Sequence, residues 1–164
     1  MDGKPAIAYT DSEVGLIKFI INTQVDGGGA WNDYEVESDA SAFFICPSLK
    51  VVDGKPAIAY LDNMGLTIRF ARNSQGDGSG TWDVSPVGLP SYAWSSMATV
   101  NGLPGIAAYN TFTLNLEYAE NTLADGSGTW NFELVDNSAD VGMYASLADV
   151  SGRPAIAYVD QANG

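Results

Sequence analysis

Gly3-Lys4-Pro5-Ala6-Ile7-Ala8-Tyr9 returns letter for letter at Gly54-Lys55-Pro56-Ala57-Ile58-Ala59-Tyr60. It comes back with small changes at Gly102-Leu103-Pro104-Gly105-Ile106-Ala107-Ala108-Tyr109 and at Gly152-Arg153-Pro154-Ala155-Ile156-Ala157-Tyr158. The prolines stand at 5, 56, 104 and 154, spacings of 51, 48 and 50. Other markers keep the same step: Asp26, Asp77 and Asp125, each followed by a Gly-rich turn and then by Trp31, Trp82 or Trp130; Asn22, Asn73 and Asn121, four residues before each Asp; and Ser48, Ser96 and Ser146, eight before each proline. A fixed period shared by several markers is the signature of a repeat architecture in which each repeat is one supersecondary unit.

Each unit reads as four strands. The first covers 45–52, 94–100 or 143–150, and the second is the Pro-Ala-Ile-Ala-Tyr run. The third covers 16–22, 66–73 or 114–121, and the fourth 31–37, 82–87 or 130–135. The second strand is a short unbroken apolar run, as expected where both faces of a sheet are covered. Asp53-Gly54, Asn101-Gly102 and Ser151-Gly152 separate the first strand from the second, where a tight hairpin needs residues that accept positive φ. Proline directly after that turn sits at the first position of a strand, where its missing N–H does little harm. The fourth strand is the most polar and is expected near an edge.

Four antiparallel strands every fifty residues make the blade of a β-propeller. A β-sandwich would not demand the same residues at the same step, and the coil of a β-helix is shorter. The fold class is therefore all-β: a propeller of three four-stranded repeats of about fifty residues plus part of a fourth, an incomplete ring in one chain. The units run at about 1–44, 45–92, 93–142 and, in part, 143–164, within a single segment.

Composition narrows the function. With 46% hydrophobic residues there is enough apolar material for a packed core. A formal charge of −13, from 20 acidic and 7 basic residues, repels nucleic acid and anionic membrane surfaces, so neither is expected as a partner. The apolar run at 42–47 is far short of the ~20 residues a spanning helix needs. The absence of histidine removes His-based triads, most zinc sites and the usual general base. The one cysteine, Cys46, lies in an apolar run and is expected to pack as a small hydrophobe.

On Ser-Leu-Ala-x-x-x-Gly-x-Pro-Ala-Ile-Ala-Tyr and on Asp77, Thr81 and Trp82, Asp125, Thr129 and Trp130, with Asp26, Gly28 and Trp31 in the first copy, the whole chain resembles the Asp-box, sialidase-like β-propeller repeats of uncharacterised bacterial proteins. Ser79 and Ser127 stand where the family pattern has Gly. The resemblance implies an extracellular or cell-surface setting. In sialidases it also implies three clustered arginines and a Tyr/Glu nucleophile pair. Here the arginines are Arg69, Arg72 and Arg153 only, and Lys18, Arg69 and Glu117 share one repeat position, so an arginine triad is not expected. No catalytic residue is assigned.

The Asp turns are expected to be structural: a carboxylate accepting backbone N–H groups, and a Trp ring packing between blades. Calcium is the ion Asp26, Asp77 or Asp125 would hold, but it takes six to eight oxygens and each loop offers one carboxylate. No cofactor or metal is expected.

Counting strands from the first residue gives three, four, four and two. No signal peptide precedes the first repeat, and a ring needs about four to eight blades. The chain is thus expected to be part of a longer propeller, or to pair with itself as a homo-oligomer completing a ring of about six blades. In the second case the hairpin at 143–159 would complete the blade begun by residues 5–37 of another copy, and one Pro-Ala-Ile-Ala-Tyr strand would be surplus unless residues 1–9 or 155–164 fray.

One face of the ring would carry the loops after the second and fourth strands. These loops hold Asp11, Asp62 and Asp160, and beside them Tyr92, Trp94 and Tyr144. Carboxylates next to aromatic rings resemble a sugar-binding surface; the alternative is that the rings fill gaps between blades. The leading reading is a non-catalytic binding or scaffold propeller, most readily for a carbohydrate or glycan. A glycoside hydrolase-like enzyme fragment and a purely structural repeat of a surface protein are the alternatives.

Overall fold

A computed structural model describes residues 1–39, 43–90 and 93–163. The described residues contain thirteen strands in four antiparallel sheets and no helix.

The first sheet has three strands in the order β1 (Ala6–Asp11), β2 (Leu16–Asn22) and β3 (Trp31–Ser38). The second has four: β4 (Phe44–Val52), β5 (Lys55–Asp62), β6 (Thr67–Asn73) and β7 (Trp82–Pro86). The third repeats that pattern with β8 (Ala93–Val100), β9 (Leu103–Asn110), β10 (Asn115–Asn121) and β11 (Trp130–Asp136). The fourth is the hairpin of β12 (Val141–Val150) and β13 (Arg153–Asp160). Every sheet is an up-and-down meander in chain order, as the spacing predicts. The expected split into three, four, four and two strands is what the sheets show. Neither terminal Pro-Ala-Ile-Ala-Tyr strand frays: β1 is paired with β2 and β13 with β12.

The sheets stack face to face, and the core is the set of layers between them. One layer joins Ile17, Phe19 and Val36 of the first sheet to Phe44, Ile58 and Tyr60 of the second. The next joins Ala57, Ala59, Ile68 and Phe70 to Met97, Ile106 and Ala119 of the third. A smaller one joins Val100, Ala107 and Tyr118 to Leu147 and Ile156. Alternation along β5 explains its unbroken apolar sequence. Ile58 and Tyr60 point to the preceding sheet, while Ala57 and Ala59 point to the following one. A strand covered on both faces has no polar side to show in its sequence.

The strands β4, β8 and β12 lie side by side at the common edge and are tied by the recurring serine. Ser48 Oγ accepts the Met97 N–H at 3.0 Å, and Ser96 Oγ accepts the Leu147 N–H at 3.0 Å. At the outer strands, Trp82 meets Phe19 edge-on with centroids 5.4 Å apart, and Trp130 meets Phe70 likewise at 5.5 Å. Each Trp therefore packs on an aromatic ring of the preceding sheet. The turn glycines make room for this contact. A Cβ on Gly78 or Gly126, both at φ near 80°, would overlap Phe19 or Phe70.

Candidate functional site

Each inner strand begins with a bulge. The register slips between Ile45 and Ser48, between Ala93 and Ser95, and between Met143 and Ser146. At its centre stands a non-glycine residue in the left-handed region: Cys46 at φ 55°, Trp94 at 51° and Tyr144 at 54°. That conformation costs roughly 1–2 kcal/mol per residue. It recurs at one repeat position beside a bulge, a feature that re-aims a side chain. Cys46 lies in the bulge and is partly buried.

The bulges bring two of the expected aromatic residues together. Trp94 and Tyr144, on adjacent inner strands, have ring centroids 4.6 Å apart and planes inclined by 54°. Trp94 also approaches Tyr109 at 6.3 Å. Tyr144 is 58% exposed, and Trp94 is half-buried. The pair bridges neighbouring strands β8 and β12 and leaves the Tyr144 ring open to solvent. Nearby in sequence, Ser95 Oγ and Thr111 Oγ1 are buried without a hydrogen-bond partner among the described residues, which costs about 1–3 kcal/mol each. Tyr92 lies outside the described residues.

The carboxylates of the same face are turn caps. Asp62 Oδ1 accepts the N–H groups of Met64 and Gly65, and Asp160 Oδ1 those of Ala162 and Asn163. Asp11 Oδ1 accepts Glu13 N–H at 3.3 Å, and Asn110 plays the same part for Phe112 and Thr113. An amide serves where a carboxylate does, so one oxygen of each of these groups is committed to its loop. The other Asp62 oxygen is 3.4 Å from Arg69. The register sets Asp62 opposite Phe44 and Asp160 opposite Val141, so both lie beside inner-strand starts.

Arg69 also holds Glu37 of the first sheet at 2.6 Å, and the Tyr60 hydroxyl donates to that carboxylate. A tyrosine, a glutamate and an arginine thus meet. Tyr60 is fully buried, and desolvation, reinforced by the bond to Glu37, pushes its hydroxyl far above the ordinary range. It is a neutral donor joining two sheets. Tyr158 and Asp136 repeat the link at 2.5 Å between the third and fourth sheets.

On the opposite face the Asp turns close as expected, with one residue that sequence reading undervalued. Asp77 and Asp125 accept the backbone N–H and the hydroxyl of Ser79 and Ser127, and Asp26 accepts Gly28 N–H. The serine hydroxyl bonds hold the Asp77 and Asp125 carboxyls below their ordinary value. The hub, however, is the asparagine. Asn73 is 1% exposed; its Nδ2 donates to Gly78 O and Gly80 O, and its Oδ1 accepts from Gln75 and Gly80 N–H. Asn22 and Asn121 repeat the pattern. The signal was present as a strict register marker. Trp82 and Trp130 form the cross-sheet contacts described above, and Trp31, at the same position of the first sheet, is 42% exposed.

Among the described residues no group of three or more carboxylates and thiols is placed to hold a metal ion. A cleft of about 420 Å³ opens on the Asp-turn face between the second and third sheets, lined among others by Lys55, Arg72, Asp83, Asp125 and Trp130. Arg72 is already paired with Asp53 at 2.8 Å, and charges of both signs line the gap.

Over 94% of its length the chain superimposes on a quarter, 25%, of the NanB chain in the solved structure "NanB plus Optactamide", with a TM-score of 0.62 and 17% sequence identity. The likeness is one of fold, and the fold is propeller-like. In that comparison the four sheets stand where propeller blades do, with β4, β8 and β12 as neighbouring edge strands. No protein-family model and no curated protein sequence matches the chain.

Proposed function

We propose that this chain is a non-catalytic carbohydrate-binding segment of a propeller, with Trp94 and Tyr144 as its stacking platform. One observation carries the reading: two adjacent inner strands each hold an aromatic residue at positive φ, and the rings meet at 4.6 Å with Tyr144 left open to solvent. A pyranose presents an apolar face and a rim of hydroxyls. Tyr144 can take the face, and Asp62 and Asp160, whose second oxygens meet Arg69 and the Asn163 amide, each keep a lone pair that, with Asp11 farther round, can accept from the rim. Backbone strain of this kind persists only where surrounding structure over-determines it, as at ligand clamps.

A glycan array probed with the intact chain tests this. Binding of at least one glycan class is expected, and a Trp94→Ala, Tyr144→Ala double variant that keeps its β-sheet circular dichroism should weaken it tenfold or more, the order expected for two anchor residues worth above about 1 kcal/mol. Failure of every glycan removes this ligand class; retained binding by the double variant moves the site elsewhere.

A further inference from the structure

Phe19 and Phe70 hold the same repeat position in the first and second sheets, and their surroundings differ on one side. Each meets a tryptophan of the following sheet edge-on, Trp82 at 5.4 Å and Trp130 at 5.5 Å. On the outer strand of its own sheet Phe19 faces Tyr34, and the two rings stack with centroids 6.4 Å apart and planes inclined by 28°. Phe70 faces Ser85 instead. The ring that packs into the layer between the first two sheets is thus cut back to a hydroxymethyl group at the next layer. The cleft of about 420 Å³ lies there, bordered by Phe70, Ser85 and Trp130.

Two more departures from the repeat gather at the same cleft. Where the first and third copies have Ile21 and Glu120, the second has Arg72; where they have Asn32 and Asn131, it has Asp83. Arg72 and Asp83 are cross-strand neighbours, yet Arg72 turns away to Asp53, at 2.8 Å. Among the described residues Asp83 therefore has no cation within ion-pair distance, and Lys55, with β6 between it and Asp83, has no carboxylate. Arg72 and Asp83 stand two residues along their strands from Phe70 and Ser85, roughly 7 Å. That is about the reach from a phenyl ring to the charged groups of its own amino acid plus a hydrogen bond.

We infer that the cleft between the second and third sheets binds a free aromatic α-amino acid. The ligand's ring takes on Phe70 the place that Tyr34 takes on Phe19, beside Trp130. Its carboxylate meets Lys55 and Nη1 of Arg72, the one terminal nitrogen of that guanidinium with no partner among the described residues. Its ammonium meets Asp83. Charge-assisted hydrogen bonds are roughly twice as strong as neutral ones, so a ring carrying both charges is held at three points and a ring carrying one charge at two. The cleft lies on the Asp-turn face, away from Trp94 and Tyr144, and its occupation does not depend on what that pair binds.

Isothermal titration of the intact chain with L-phenylalanine should show a single saturable site. N-acetyl-L-phenylalanine, which lacks the ammonium, and L-phenylalaninamide, which lacks the carboxylate, should each bind about tenfold more weakly or worse, because each loses a charged contact. L-alanine, which lacks the ring, should give no titration. Ser85→Tyr puts into the cleft the side chain that the first sheet carries there, so it should keep its β-sheet circular dichroism, raise the urea midpoint and abolish the titration. Lys55→Ala, at a partly exposed position, should narrow the preference for L-phenylalanine over its amide. The inference is overturned if the wild-type chain shows no saturable binding, or if the acetyl or amide form binds as well as the free amino acid. It is overturned equally if a folded Ser85→Tyr chain binds undiminished, or if the preference over the amide survives Lys55→Ala unchanged.

Discussion

Asn73 is buried and Asp77, four residues on in the same turn, is in water; the two residues therefore carry different weight although they recur with equal strictness. The Asn73 side chain satisfies four backbone groups at 2.9 to 3.0 Å. Removing it leaves at least two of those groups buried and unpaired, at about 1–3 kcal/mol each. Asn73→Ala should therefore lower the unfolding free energy by about 2–4 kcal/mol, and Asp77→Ala by under about 1 kcal/mol, both read from urea unfolding. Equal losses would show that the Asp, not the Asn, closes the turn. Spacing placed both residues in the turn, yet it could not rank them, because a side-chain amide that donates and accepts at once reveals its worth only when the loop is folded around it.

At the scale of the strand and the blade, the apolar second strands and their turns were legible because period and turn chemistry are local properties. The bulges were not, since Cys46, Trp94 and Tyr144 take positive φ for reasons of register against β5, β9 and β13 that no single strand encodes. The link between blades has its own test. Trp82 and Phe19 stand on different sheets with an edge-on contact, so a double-mutant cycle with Trp82→Leu and Phe19→Leu should return a coupling of about 0.5–1.5 kcal/mol; additive effects would mean the rings only fill space. Tyrosine links give a pH test. Burial, aided by the bond to Asp140, pushes the Tyr109 hydroxyl up to about 12. A raised value means the folded chain holds a proton that the unfolded chain releases near pH 10, so this stabilisation is complete below pH 10 and is lost as pH rises from there toward 12. Urea midpoints should fall over that window, and Tyr109→Phe should flatten the fall. An unchanged slope in the variant would assign the alkaline loss to other groups.

For the whole molecule, charge and topology pull against each other. The sequence made the fifty-residue period and the uneven strand count plain, because both follow from repeating letters; how the sheets are fastened was less plain, because Glu37 belongs to one repeat and Tyr60 and Arg69, paired across β5 and β6, to the next, and they meet only through stacking. Those fastenings are few beside the net charge of −13. Raising salt weakens both the favourable pairs, such as Lys18 with Asp33 and Arg72 with Asp53, and the general repulsion. Each named pair has a partly exposed member, and such pairs are worth up to about 1 kcal/mol. The repulsion sums over 20 acidic residues spread along the whole chain. Screening shortens the reach of a charge from about 30 Å at 0.01 M to about 8 Å at 0.15 M, a range across which distant repulsions vanish while contacts near 3 Å persist. The urea midpoint should therefore rise with sodium chloride over this interval, by an amount equivalent to about 1–2 kcal/mol if a few tens of weak repulsions are removed. A midpoint that falls would show that the ion pairs, and not the general repulsion, dominate the electrostatics of the fold.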